Sequence, residues 1–227
     1  SNLGMDYVDL YIYHMWDWNT PLEDYHAGMA EGVKVGQIRQ IGIANCFAWQ
    51  LAEANAIAKE NGWPEFVSVQ NHYNLIMREE EREMNVYAAE RNITIIPEID
   101  LPGHSKAVAV TYPEILCDIN TINYSVQLES NNVWCVGREE NYEMLDDIIS
   151  ELCELFPSDI FHIGADEVNM DSWRQCPRCQ ALMKRMKMND VIELQNYFVR
   201  QVEAILAKHG KNMGGWDEII DGGELLP

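Results

Sequence analysis

Two consecutive carboxylates, Asp166 and Glu167, follow a short apolar run and two small residues, Gly164 and Ala165. Such apolar runs are typical of parallel strands covered on both faces, and α/β proteins keep their reactive groups at the carboxyl ends of these strands. Neighbouring side chains on a regular strand point to opposite faces, so both acids reach one substrate only if the backbone bends. Glycine makes such a bend accessible. A solvated surface dipeptide is the alternative interpretation.

Two other apolar runs end in a similar way. Residues 93–100 end at Asp100 and are followed by a Pro-Gly turn and His104, and residues 212–219 carry Trp216. Carboxyl groups supply proton transfer and charge stabilisation, and an indole face stacks on the apolar face of a sugar ring. A capping histidine and a core tryptophan are the alternatives. The three segments together predict a carbohydrate-active site.

Several ordered motifs connect these segments. The chain carries AAERNITIIPEIDLPGH at residues 88–104, HIGADE at residues 162–167 and GWDE at residues 215–218. In these motifs, and in the spacers between them, the chain from about Tyr87 to its C-terminus resembles the β-N-acetylhexosaminidases of glycoside hydrolase family twenty. That family usually has a second glycine where this chain has Ala165, so we expect a modest change in the turn and not its loss.

The resemblance implies retaining hydrolysis in which the acetamido oxygen of the substrate is the nucleophile. Glu167 would be the general acid and then the general base, with a pKa tuned by partial burial and by Asp166. Asp166 would accept a hydrogen bond from the acetamido N–H. The resemblance implies no cofactor and a small carbohydrate with a terminal N-acetylhexosamine as substrate. The implied set is catalytic Asp166 and Glu167, with Asp100, His104, His162 and Trp216 as substrate-binding or supporting residues, His162 being equally interpretable as a core histidine.

The first third of the chain has a different character. Residues 5–14, 37–45 and 66–71 read as strands, and the segment to about residue 84 resembles the middle of an aldo-keto reductase barrel. This resemblance implies an active-site histidine at His14 and nicotinamide contacts at Asn45 and Gln70. Ala44 stands where a serine is usual, and the remaining catalytic and cofactor-binding segments of that family have no counterpart. NADPH is therefore a cofactor only under this alternative function.

The pattern of elements predicts an α/β fold, a TIM-barrel-like (β/α) domain that is incomplete or a hybrid of two barrels. We expect one domain over residues 1–227, with a reductase-like half at 1–84 and a hexosaminidase-like half at 85–227. Both ends look cut, so we expect impaired activity, or a non-catalytic hybrid, and association through open barrel edges. The predicted strands lie near residues 7–13, 38–44, 66–70, 93–99, 160–164 and 212–216, and the predicted helices at 21–35, 49–61, 79–92, 140–155 and 191–209.

Composition excludes several classes of partner. The formal net charge is −21 and the sequence pI is about 4.5, a balance that repels phosphate backbones and anionic lipids. We therefore expect no nucleic-acid partner and no membrane association. The chain shows no signal peptide, and the resemblance is compatible with a periplasmic or secreted location, which leaves the compartment open.

Six cysteines are too few for a disulfide scaffold of this size. Cys176 and Cys179 have the spacing of half a zinc ribbon, but no second Cys-x-x-Cys follows. The resemblance favours a local disulfide or a pair of free thiols here. No metal ligand is therefore assigned.

Overall fold

Within residues 6–73, 77–119 and 132–220, which the computed structural model describes, six strands alternate with helices. All paired strands are parallel, and they form two sheets. The six predicted strands and the α/β class are confirmed. The two ends that were expected to be cut lie outside the described residues.

The chain divides into two compact units, and the first is Ser1–Ile96. Its strands β1 (Val8–Tyr13), β2 (Ile38–Ala44), β3 (Phe66–Gln70) and β4 (Thr94–Ile95) pair in that order. Its connecting helices are α1 (Leu22–Lys34), α2 (Ala48–Asn61) and α3 (Met84–Arg91). The central strands are buried, as continuous apolar runs predict, and their core contains Ile41, Ile43, Leu51, Ala54, Phe66 and Val69.

The single helix predicted over residues 79–92 is wrong. The chain forms a short 3-10 helix at Glu79–Glu81, and α3 begins only at Met84. Glu79 and Glu83 would face each other one turn apart in a continuous helix, and like charges at that spacing are destabilising. The acidic run therefore stays outside the regular helix.

The second unit is Pro97–Pro227. Its elements are α4 (Lys106–Thr111), α5 (Glu140–Leu155), β5 (Ile160–His162), α6 (Asp171–Gln175), α7 (Pro177–Met186), α8 (Ile192–Lys208) and β6 (Asn212–Gly214). Strand β5 pairs with β6, and residues 97–101 run parallel to its other side, where Glu98 is opposite His162. The Ile99 N–H donates to the His162 carbonyl at 3.0 Å. Three parallel segments thus end at the same edge.

Helices α5 and α8 supply much of the core of this unit. Their apolar side chains repeat at helical spacing and are almost fully buried, which anchors the strands beside them. The buried set includes Leu145 and Ile149 of α5 and Leu194, Phe198, Val202 and Leu206 of α8. In the described part of the chain, no helix combines the length and apolar character that a bilayer crossing requires.

The units divide after Ile96, whereas the sequence motifs change character near residue 84. A single domain with halves at 1–84 and 85–227 stays a prediction.

Candidate active site

The backbone bends sharply where β5 ends. Gly164, Ala165 and Glu167 have φ angles of +65°, +73° and +49°, in the left-handed region that a regular strand avoids. The Gly164 carbonyl accepts a hydrogen bond from the Trp216 N–H, and the Ala165 carbonyl accepts one from the buried Gln195 side chain, both at 2.9 Å. The predicted bend is present, and Ala165 retains it.

The two consecutive acids converge on one imidazole. His104 Nε2 lies 3.8 Å from Asp166 Oδ2 and 3.6 Å from Glu167 Oε2. The side chains of His104 and Asp166 are 32% and 26% exposed, whereas that of Glu167 is 76% exposed. The expectation that Glu167 is partly buried is wrong, since the described residues leave its carboxylate open to solvent.

The turn that carries His104 is tied to the core. The Ser105 hydroxyl donates to the Gly103 carbonyl at 2.7 Å and accepts a hydrogen bond from Trp134 Nε1 at 2.9 Å. The Trp134 N–H donates to the Pro102 carbonyl at 3.1 Å. Trp134 is fully buried, so it fixes this turn from below and helps to position the imidazole.

Asp100 has an unusual protonation equilibrium. Burial, followed by the negative charges of Glu98 and Asp166, raises the pKa of its carboxyl group to about 7, while His104 opposes the shift. Asp100 Oδ1 and Asp166 Oδ1 are buried and receive no hydrogen bond from the described residues. A proton on Asp100 removes this deficit, because the protonated carboxyl group can donate to Asp166.

His162 lies in the interior, between an acid and an indole. Its Nδ1 is 3.0 Å from Glu98 Oε1, and its ring packs edge-to-face against Trp216 with centroids 4.8 Å apart. Glu98 was not among the predicted site residues. Its position two residues before Asp100 could have identified it, because residues at that spacing share one face of a strand.

The reductase-like residues lie together in the first unit. His14 follows β1, Asn45 follows β2 and Gln70 ends β3. Asn45 Nδ2 donates to the His14 carbonyl at 3.1 Å, and the Asn45 N–H donates to the Gln70 carbonyl at 3.0 Å. All three residues therefore lie at the carboxyl ends of neighbouring strands, and their reductase-like role stays a prediction.

Cys176 and Cys179 belong to a larger group than their spacing indicated. They lie beside Cys117 and Cys135, and the four sulfur atoms are all within 4.8 Å of one another. All four side chains are buried and free of disulfide bonds. The spacing of Cys176 and Cys179 alone predicts no metal ligand, but the fold adds Cys117 and Cys135 to the pair.

A parallel α/β fold with acids, a histidine and a tryptophan at its strand ends is typical of TIM-barrel glycosidases. The model of the family described as "Glycosyl hydrolase family 20, catalytic domain" matches residues 41–227. The chain therefore belongs to glycosyl hydrolase family 20, and the barrel class is confirmed. The match begins inside residues 1–84, the segment assigned to the reductase-like half.

Individual relatives agree with this assignment. A β-hexosaminidase of Porphyromonas gingivalis is 41% identical over 150 residues, which cover 64% of this chain and 19% of the relative. An exo-β-N-acetylglucosaminidase of Vibrio harveyi, solved in complex with N-acetylglucosamine, gives a TM-score of 0.60 at 28% identity, covering 81% of this chain and 35% of that one. The chain spans only 19% to 30% of the length of the first β-hexosaminidases it matches.

The resemblance to reductases is also present. An aldo-keto reductase of Fusarium vanettenii is 39% identical over 97 residues, which cover 43% of this chain and 26% of the relative. The chain therefore has relatives among both the β-hexosaminidases and the aldo-keto reductases.

Proposed function

We propose that this chain removes terminal β-linked N-acetylhexosamine by substrate-assisted, retaining hydrolysis. The observation that carries the proposal is the convergence of Asp166 and Glu167 on His104, within 3.8 Å and 3.6 Å. Membership of glycosyl hydrolase family 20 supports it. The reaction needs no cofactor, because the sugar itself supplies the nucleophile.

In the first step the acetamido oxygen attacks C1 of the sugar and forms the C1–O bond of an oxazolinium ion. The bond from C1 to the leaving oxygen breaks as Glu167 donates its proton to that oxygen. The exposure of Glu167 lets its carboxyl group reach a bulky leaving group. Asp166, whose side chain is 26% exposed beside His104, would accept the acetamido N–H and stabilise the positive charge.

In the second step Glu167 takes a proton from water, and the water oxygen attacks C1. The oxazolinium ring opens, which regenerates the acetamido group with retention at C1. His104 can hold Glu167 and Asp166 at a fixed separation, and Asp100 would support His104 through the attraction between their charges. Trp216 would border the sugar, with its orientation set by His162.

The test is release of para-nitrophenol from its N-acetyl-β-glucosaminide by the whole chain. Loss of general acid catalysis lowers rates by about 10²–10⁴-fold, so Glu167→Gln should lose nearly all activity. Glu151→Gln, on the exposed face of α5, is the matched control and should keep it. A β-glucoside without the acetamido group should not react. Equal rates for wild type and Glu167→Gln would contradict the assignment.

A binding measurement tests the site even if turnover is too slow to detect. A cyclic thiazoline analogue of the oxazolinium ion should bind to the wild-type chain in a calorimetric titration. Asp166→Asn should weaken this binding, because a neutral amide cannot offset the positive charge of the protonated thiazoline ring, whose N–H the carboxylate would accept. Unchanged binding would remove Asp166 from its proposed role.

A reductase-derived nucleotide site is the second candidate function, favoured by the hydrogen bonds that join Asn45 to His14 and Gln70. Saturable quenching of tryptophan fluorescence by NADPH, lost in Gln70→Ala, would support it. A flat titration would eliminate it. Association through open sheet edges and an exported location stay predictions.

A further inference from the structure

Four cysteines from three separate segments of the second unit meet at one buried point. Cys117 follows the 3-10 helix Pro113–Ile115, Cys135 follows Trp134, and Cys176 and Cys179 lie at the start of α7. Sulfur to sulfur distances are 4.0 Å for Cys117–Cys179, 3.7 Å for Cys135–Cys176 and 3.8 Å for Cys135–Cys179. Four thiols that all lie within 4.8 Å of one another point to a common ligand.

We propose that Cys117, Cys135, Cys176 and Cys179 bind one zinc ion, as a structural site separate from the glycosidase centre. Zinc takes four thiolates in a tetrahedron with bonds of about 2.3 Å, which sets the sulfur to sulfur edges at about 3.8 Å. The sulfur to sulfur distances of 3.7–4.0 Å between Cys135 and Cys176, Cys135 and Cys179, and Cys117 and Cys179 fit these edges. The inference is independent of the proposed activity.

The distances do not favour two disulfide bonds. A disulfide brings two sulfurs to about 2.05 Å and so selects one partner for each cysteine. Cys135 instead lies almost equally far from Cys176 and Cys179, at 3.7 Å and 3.8 Å. The arrangement around Cys135 therefore has no preferred pair.

The surroundings are suited to thiolates. Cys176 is the N-cap of α7 and Cys179 lies in its first turn, where the helix dipole stabilises negative charge. The Gly137 N–H donates a hydrogen bond to Cys179. A β-carbon at Gly137 would lie 2.7 Å from the Cys179 nitrogen, so only glycine permits this close approach.

Charged residues join the same three segments at the surface. Asp118 accepts a hydrogen bond from Arg138 Nη2 at 2.5 Å and from Arg178 Nε at 3.1 Å. In the sequence, Asp118 follows Cys117, Arg138 comes shortly after Cys135, and Arg178 lies between Cys176 and Cys179. A zinc ion with four thiolates has a formal charge of −2, which the two arginines offset in part.

The four protein ligands assign a structural role, since they leave no open position for a substrate or water. The site also bears on the turn that carries His104. Trp134, next to Cys135, donates to Ser105 and Pro102, and its carbonyl accepts a hydrogen bond from Trp173 Nε1 at 3.0 Å. Metal binding would therefore order the residues that support the imidazole.

The test is the metal content of the full chain, produced with zinc in the medium and purified without chelators. Elemental analysis should find one zinc ion per chain. The double variant C176S/C179S should lose it, whereas Cys153→Ser, which alters a cysteine of α5 outside the group, should keep it. A wild-type chain with only traces of zinc, or with iron in its place, would overturn the proposal.

Two further measurements on the wild type hold even if the double variant does not fold. Cobalt exchanged into the chain should give the intense visible bands of tetrahedral thiolate coordination. Intact mass should show all six cysteines reduced once the metal is removed under denaturing conditions. A mass lower by the four hydrogens of two disulfides, or six reduced cysteines in a chain that never held metal, would overturn the proposal.

Discussion

Asp166 and Glu167 are adjacent in sequence but lie in different environments. The Asp166 side chain is 26% exposed, whereas that of Glu167 is 76% exposed. Enzymes separate the roles of two carboxyl groups through such differences in environment. In the proposed mechanism the less exposed Asp166 would hold the acetamido group, and the more exposed Glu167 would exchange protons with bulk water.

Asp100 gives a pH-dependent contribution to stability. Its pKa is raised to about 7 in the folded chain, so the folded state holds a proton that the unfolded state has released between about pH 4 and pH 7. The stabilisation is complete below the unfolded pKa and is lost as the pH rises through about 7. Asp100→Asn cannot ionise, so its unfolding free energy relative to wild type should rise by about 1–3 kcal/mol between about pH 4 and pH 8.

Urea denaturation of both proteins across that pH range measures this difference. Asp147→Asn, an exposed acid on α5, is the control and should show no such trend. A difference between Asp100→Asn and wild type that stays constant with pH would mean that Asp100 titrates normally in the folded chain.

At the scale of elements, the turn after β5 determines whether the acids converge. Gly164 has a φ of +65°, and a β-carbon there would lie 2.7 Å from Asp100 Cγ and closer still to its oxygen. Gly210 also has a positive φ, +73°, but a β-carbon there would meet nothing within 4 Å. Alanine at position 210 therefore introduces backbone strain alone, whereas alanine at position 164 introduces the same strain and a steric clash with Asp100.

We expect Gly210→Ala to cost about 1 kcal/mol of unfolding free energy, from left-handed strain alone. Gly164→Ala should cost about 2 kcal/mol more, because the methyl group displaces Asp100. Chemical denaturation of both variants measures the difference. In an Asp100→Ala background the additional cost at position 164 should shrink, and equal costs at both positions in the wild-type background would show that the clash is absorbed without strain.

The elements were more predictable than the contacts between them. The apolar runs of β2 and β3 identified those strands, because strands with both faces largely buried leave a local signal in the sequence. The cysteine group left no such signal. Cys135 and Cys176 are 41 positions apart, so their proximity depends on how α7 packs against the turn at residues 133–137. Glu98 was missed for a simpler reason, since its period-two relation to Asp100 was available but unused.

At the scale of the whole chain, each of the two units has its own apolar core. The proposed glycosidase residues and the four cysteines all belong to the second unit, Pro97–Pro227, and the reductase-like residues to the first. The family match nevertheless begins at residue 41. Parallel βα units have similar local requirements in unrelated barrels, so a segment of the first unit can satisfy the sequence patterns of both families.

The net charge of −21 predicts how salt acts on the chain. Self-repulsion opposes the compact state and is screened as the Debye length shortens. Raising sodium chloride from about 0.02 M to about 0.2 M should therefore increase the unfolding free energy by on the order of 1 kcal/mol. Because the proposed N-acetylhexosaminide substrate is uncharged, the same change should leave KM nearly constant. Urea denaturation and initial-rate kinetics at matched pH measure the two quantities.

Glu203→Lys, on the exposed face of α8, separates charge repulsion from specific ion binding. The variant reduces the negative charge by two, so its stability should rise less steeply with salt than that of the wild type. Potassium chloride should give the same slope as sodium chloride, because screening depends on ionic strength and not on the cation. Stability that falls with salt would mean that local ion pairs, such as those of Asp118 with Arg138 and Arg178, outweigh the overall repulsion.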